Sequence, residues 1–252
     1  MGHSDERDLA WALDALADEV RLAGPGDMLG RLCDVAGSLL RMTCASVLLS
    51  GDGMPVPLTA TDERAAQVME LQADLGEGPS LDAASTGTPV LAPDLSAGPD
   101  VERWPVFAPL ATTLGVQALY ALPLGCDPYC VGTLDLCRDI PAELSARDLR
   151  TAQLIAGVVT VALTTLQCQD EYAYDGEGGP EDGRRAPWLG ELAAAHDTVH
   201  QAVGMIMARL RIAADEALAR LRAHAFARGR TLPEAARDIV AHRERFEPDL
   251  SM

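Results

Sequence analysis

HQAVGMIMARL (200–210) sets Val203, Ile206 and Leu210 on one side of a helix, with Val199 just before them at the same spacing, and puts Gly204 in the middle. Glycine inside a helix is about 1 kcal/mol worse than alanine, so something has to come close to that face. Two readings stand open: another helix of a small bundle, or the backbone of a nucleic acid. The neighbouring sequence extends the pattern. The helix runs from about Leu189 to Leu210. A second covers Asp215 to Arg228 and stops at Gly229, in a C-terminal capping position. A third opens on TLPE (231–234), a capping box with proline in the first turn. Three helices joined by short connections predict a small all-α domain over 188–246, followed by a tail, 247–252.

Charge separates this segment from the rest. The chain of 252 residues carries −18, which argues against a nucleic-acid partner when taken whole. Residues 1–183 hold nine Arg and 29 acidic residues, whereas 184–246 hold 11 Arg and seven acidic residues. Every basic residue is Arg. A body near −20 that carries a basic segment near +4 points to an anionic partner for that segment.

The first 168 residues mix helical and strand patterns. Helices are expected from about Asp5 to Leu22 and through Met28, Leu32, Val35 and Leu39. CASVLLS (44–50) reads as a buried strand, Gly51-Asp52-Gly53 as a turn and PVPLTA (55–60) as the returning strand. A helix carries Ala65, Val68, Met69 and Leu71 and ends at Gly76. VLA (90–92) is a short strand, and the region 102–114 turns helical after Pro105. VQALYALPL (116–124) and CVGTLDLC (130–137) form two more strands. Helices around an antiparallel meander make this domain α+β. Its closing helix steps through Leu149, Ala152, Ala156, Val159, Leu163 and Leu166 as a heptad seam. Leu154, Ile155, Val158, Val161 and Ala162 add a second apolar face, so two partners are needed. The reading assigns the seam to a homodimer. Residues 169–187 mix acids, Gly and Pro without periodicity and read as a flexible acidic linker.

On these residues the chain resembles two known families. Ala202-x-Gly204 followed by EALARLRAHAFARGRTLPEAARDIV (216–240) resembles the ANTAR domain, a three-helix RNA-binding module of bacterial transcription antiterminators; Ala217, Leu221, Arg222, Ala225, Ala236 and Val240 fall at its characteristic positions. LGEGPSLDAASTGTPVLAPDL (75–95), RWPVFA (103–108) and GTLDLC (132–137) resemble a GAF domain. The pairing implies a regulator that senses a small-molecule or protein signal through its GAF domain and acts on structured RNA hairpins of nascent transcripts through its ANTAR domain. Three positions depart from the ANTAR pattern: His196 and Val203 stand where the family often has basic residues, and Ala213 where a Ser or Thr cap would be usual before Asp215.

The candidate RNA-binding set is His196, His200, Ala202, Gly204, Arg209, Arg211, Arg222, Arg228, Arg230 and Arg237, because guanidinium groups neutralise phosphates and stack on splayed bases. GAF pockets lie between the sheet and its covering segments, which here implies Ser80, Leu81, Trp104 and Phe107. The cyclic-nucleotide GAF signature and the bilin-attachment pattern are absent. Cys126 and Cys130 flank the turn CDPYC as ordinary thiols or as a disulfide pair across a hairpin.

No cofactor or metal is expected. There is no CxxC pair, the only His before residue 196 is His3, and the pair His196 and His200 lacks a third ligand. Nor is an enzyme expected, because no catalytic motif remains once both modules are placed. LIAGVVTVAL (154–163) is too short to cross a bilayer, and MGHSDERDL lacks the apolar core of a signal peptide, which points to a cytoplasmic protein without membrane attachment. Two other functions compete: a DNA-binding helix-turn-helix regulator, and a protein-interaction adaptor in stress signalling.

Overall fold

A computed structural model describes residues 27–51, 54–126, 129–174 and 187–243. The chain forms two compact units, one of residues 1–72 and 77–186, the other of residues 187–252 with the short stretch 73–76. In the first, helix α1 (Met28–Leu40) leads into strands β1 (Cys44–Gly51) and β2 (Met54–Ala60), then α2 (Glu63–Leu75), α3 (Pro79–Thr86) and β3 (Val90–Ala92). Two short helices, α4 (Pro99–Arg103) and α5 (Phe107–Thr113), precede β4 (Ala118–Cys126), β5 (Tyr129–Arg138) and the long α6 (Ala146–Tyr174). The expected helix over 5–22 lies outside the described residues.

The five strands form one antiparallel sheet in the order β2-β1-β5-β4-β3, so β5 is central. Successive side chains of a strand point to opposite faces. Val47, Tyr120, Leu122, Leu134 and Leu136 therefore share one face, and they pack with Leu32, Cys33 and Ala36 of α1 and Ile155, Val159 and Leu163 of α6 into the core. Ser46, Thr133 and Asp135 point the other way and are buried as well. That second face is covered by α2 and α3, through Gln72 and Ser80.

Three features differ from the sequence reading. PSLDAAST (79–86) was expected only as a covering segment and is a helix, started by Pro79 and stopped by Gly87 in the left-handed region. The expected linker begins too early: α6 continues to Tyr174, because nothing in the run QCQDEYAY breaks a helix before Gly176. The seam is the largest correction. Ala152, Ala156, Val159 and Leu163 are buried against α1 and the sheet of the same chain, and Leu149 packs at the edge of that core; the Leu166 side chain lies outside the described residues. Outer strand faces need a cover, and the seam supplies it within the chain. What remains outward on α6 is Val161, 65% exposed, with Leu154 and Val158 half-buried beside it.

The second unit consists of α7 (Pro187–Leu210), α8 (Ala214–Ala227) and α9 (Leu232–Val240). Its core joins Val199, Ala202, Val203 and Ile206 of α7 with Ala217, Leu221 and Ala225 of α8 and Leu232, Ala235, Ala236 and Ile239 of α9. Helix α8 ends in a paired motif in which Gly229 (φ 60) turns the chain, the Arg230 N–H bonds the Ala225 carbonyl and the Gly229 N–H that of Phe226. The expected capping box is present: the Thr231 side chain accepts from the Glu234 N–H, and the Glu234 carboxylate accepts from the Thr231 N–H. Ala213, by contrast, caps α8 with no side-chain bond.

Candidate nucleic-acid interface and sensor site

In the helical unit the structure sorts the sequence candidates into three groups. Ala202 is wholly buried and belongs to the helix-packing core, which removes it from any RNA contact. Gly204 is exposed, and a Cβ built there would meet no atom of the described residues within 4 Å. Close packing inside the three-helix core is therefore not what keeps this glycine. Its face of α7 is open.

Arginines border that unit along its length. Arg209 and Arg211 close α7, Arg220 and Arg222 lie on α8, Arg228 and Arg230 flank Gly229, and Arg237 lies on α9. With 14 residues in α8, the two ends of this stripe are separated by about 20 Å at a rise of 1.5 Å per residue. Arg209, Arg211, Arg228 and Arg237 are exposed. Arg228 contacts the His224 ring nitrogen at 2.9 Å.

Arg230 is held differently. It pairs with Asp238, which also accepts from Arg243 Nε at 2.8 Å. The hydrogen bond from Arg230, its charge, and the contacts of Arg243 hold the Asp238 carboxyl below its ordinary range. This pairing joins the α8–α9 turn to α9. His200 is exposed on α7, and the His196 side chain lies outside the described residues.

The sensor candidates are more enclosed than a preformed pocket. Trp104 and Phe107 are buried at 2% and 0% exposure, Ser80 is buried, and Leu81 is half-buried. Carboxylates fasten the segment that carries them. Glu77 accepts from the N–H groups of both Val106 and Phe107 at 2.9 Å, covering the start of α5. Asp82 accepts from Trp104 Nε1 at 3.2 Å and pairs with Arg103 at 2.7 Å, while the Arg103 guanidinium lies over the Trp104 ring at 4.6 Å. The structure thus joins α3 to the 103–107 segment by polar contacts that the apolar pattern did not reveal.

Behind Ser80 lies a polar cluster missed in the sequence. Ser80, Gln72 and Asp135 are all buried and hydrogen-bonded to one another. Burial pushes the Asp135 carboxyl up to about 6, against the polar side chains of Ser80, Gln72 and Thr133 that lower it. The alternation in GTLDLC already put Asp135 on the same side as Thr133, opposite Leu134 and Leu136. Cys126 and Cys130 are not cross-strand partners: the register sets Cys130 against Gly125 and Cys126 against Tyr129, and Cys130 is a free thiol. Among the described residues no group of His, Cys, Asp or Glu is placed to hold a metal ion, and no helix is long and apolar enough to cross a membrane.

An open helical glycine predicts a specific stability response. Gly204→Ala should raise the stability of the helical unit by up to about 1 kcal/mol, read from urea unfolding followed by helical circular dichroism. A loss of stability would show that the chain itself fills that face.

Comparison with known proteins fits these two units. A GAF domain family model matches residues 23–164, and an ANTAR domain model matches residues 189–240. No curated protein sequence matches the chain. Among solved structures, the GAF domain from a phosphoenolpyruvate-protein phosphotransferase of Coxiella burnetii is similar over 66% of this chain and 98% of its own, at 14% identity and a TM-score of 0.52. The corresponding Acinetobacter GAF domain is similar over 67% of this chain and 97% of its own, at 12% identity and a TM-score of 0.51. Such identities establish the fold only. With a GAF model spanning more than half its length and an ANTAR model behind it, the chain belongs to the GAF-domain family and has the architecture of a GAF–ANTAR regulator.

Proposed function

We propose that this protein is a signal-responsive regulator of transcription that binds RNA hairpins through its ANTAR domain and promotes antitermination, under the control of its GAF domain. The observation that carries the reading is the open face at Gly204 on a unit bordered by exposed Arg209, Arg211, Arg228 and Arg237. A bare helical face admits a sugar–phosphate backbone, and arginines supply charge and planar stacking surfaces for unpaired loop bases. His200 belongs to the same interface on this reading, and His196 is assigned to it from the sequence alone; Arg222, expected there from the sequence, drops out, because its Nε and Nη2 are buried and burial lowers its pKa. The functional division follows the sequence boundaries, with a sensor over 1–168 and the RNA-binding domain over 188–246. The protein acts in the cytoplasm, where nascent transcripts are made.

The signal, a small molecule or a protein, acts on the side of the sheet covered by α2 to α5, in the region of Ser80, Leu81, Trp104 and Phe107. Because these side chains are packed in, a ligand has to displace the fastened 103–107 segment to reach them. A homodimer forms instead through the outward strip of α6 at Val161 and Leu154, with Val158, which also packs on the core, at its edge. An exposed valine amid half-buried apolar neighbours gains from a second copy, as the buried seam does not.

RNA binding is tested by titrating the full chain with a hairpin RNA and with duplex DNA of the same sequence at several salt concentrations. Several Arg–phosphate contacts predict preference for the hairpin and an affinity that falls steeply with salt. Gly204→Glu, which places a bulky negative group on the open face, should abolish binding while leaving the circular dichroism unchanged. Equal affinity for duplex DNA, or a flat salt response, would sink the proposal. For the dimer, Val161→Glu should halve the mass measured by light scattering; an unchanged dimer would exclude this strip.

A further inference from the structure

Asp135 stands on the central strand and is fully buried, yet the side chains that touch it are neutral. Its Oδ2 accepts from Gln72 Nε2 at 2.9 Å and contacts Ser80 Oγ. Ser80 Oγ also lies 2.7 Å from Gln72 Oε1, and the Ser80 N–H donates to that same oxygen at 2.9 Å. The serine hydroxyl therefore touches two acceptor oxygens while carrying one proton. If Asp135 is ionised, one of these oxygen–oxygen contacts has no hydrogen in it. If Asp135 is protonated, it donates to Ser80 Oγ, Ser80 donates to Gln72 Oε1, and both contacts are filled. Among the described residues Thr133 Oγ1, the polar group nearest the other carboxylate oxygen, lowers the Asp135 carboxyl without reaching hydrogen-bond geometry, so Oδ1 is left poorly satisfied when ionised.

We propose that Asp135, Ser80 and Gln72 form a proton-operated latch fastening α2 and α3 to the centre of the sheet, closed when Asp135 carries a proton and loosened when it is ionised. The proton is thus a ligand of the sensor domain, bound beneath its cover.

The surrounding charges do not replace that proton. On α3, Asp82 is engaged by Arg103 and Trp104, and Glu77 before it is engaged by the Val106 and Phe107 N–H groups. On the sheet, β4 sets Ala121 opposite Asp135, and β1 sets Ser46 opposite it on the other side. Arg138 lies instead over the Tyr120 ring, at 5.7 Å, on the face turned to α1 and α6. The nearby titratable groups are thiols. Cys137 is held well up by its hydrogen bond with Cys44, by burial and by the charges of Asp135 and Asp62. Cys33 is pushed up to about 12, mainly by burial, with Asp34 and Asp135 adding to the shift. Both stay neutral while Asp135 titrates. Since burial pushes the Asp135 carboxyl up to about 6 from its ordinary 3.8, the latch contributes fully below the ordinary value and is lost as pH rises through about 6.

The test uses the full chain with ¹³Cγ-labelled aspartate. The Asp135 resonance is assigned by its absence in Asp135→Asn or, should that variant not fold, by its displacement in Ser80→Ala. It should titrate with a midpoint near 6 in the wild-type protein. In parallel, hydrogen exchange of the α3 amides, corrected for the intrinsic pH dependence of exchange, should report an opening equilibrium about tenfold larger at pH 7.5 than at pH 5. A midpoint at or below the ordinary aspartate value of about 4, or an opening equilibrium unchanged across that range, would overturn the latch.

Discussion

At Gly132 the backbones of β1 and β5 approach so closely that a Cβ would lie 2.1 Å from the Leu48 carbonyl oxygen. That contact is backbone against backbone and cannot be relieved by turning a side chain, so only glycine serves there. The sensor domain depends on it. It brings β1 onto the central strand, and the register from Cys44 to Leu49 against β5 follows. Three residues along β5, Asp135 then falls under α2 and α3, while Leu134 and Leu136 fall under α1 and α6. One close approach thus helps settle which residues face the apolar core and which face the polar side covered by α2 and α3.

The two sides of the sheet are built on different physics. The α1 and α6 side is a continuous apolar core whose stability comes from area removed from water. The α2 to α5 side is held by directional contacts: Glu77 on two backbone N–H groups, Asp82 on Trp104 and Arg103, and Asp135 on Gln72 and Ser80. Directional contacts are lost singly, and each loss leaves a polar group unpaired. An apolar core does not respond to a proton or a small polar molecule in this way. The polar side has contacts that do.

Much of this was legible in the sequence because it rests on periodicity and on local turn chemistry. The strand alternation of CASVLLS and GTLDLC, the capping box at Thr231 and the stop at Gly229 are dictated by residues close together in the chain, and each stands where expected. The dimer seam was misassigned because a heptad pattern records that a helix face is buried, not what buries it; the sheet of the same chain took it. The pairing of Arg230 with Asp238, eight residues on, belongs to the α8–α9 turn and leaves no mark in the charge pattern. The Asp135 cluster needed contacts 55 and 63 residues away in the chain, which no local pattern encodes. Gly204 was the reverse case. The sequence left packing and ligand contact open, and the empty space around its Cα position removes packing against the described residues.

The proposed function turns on whether the helical unit, with its open Gly204 and its exposed arginines, meets RNA. Crosslinking the full chain to nucleic acid inside cells that express it, then sequencing what remains bound after purification, tests this most directly. The account predicts transcripts enriched in hairpins with unpaired loops, with the crosslinked peptides falling within α7 to α9. Recovery of duplex DNA, or of RNA no richer in hairpins than the total cellular pool, would contradict it.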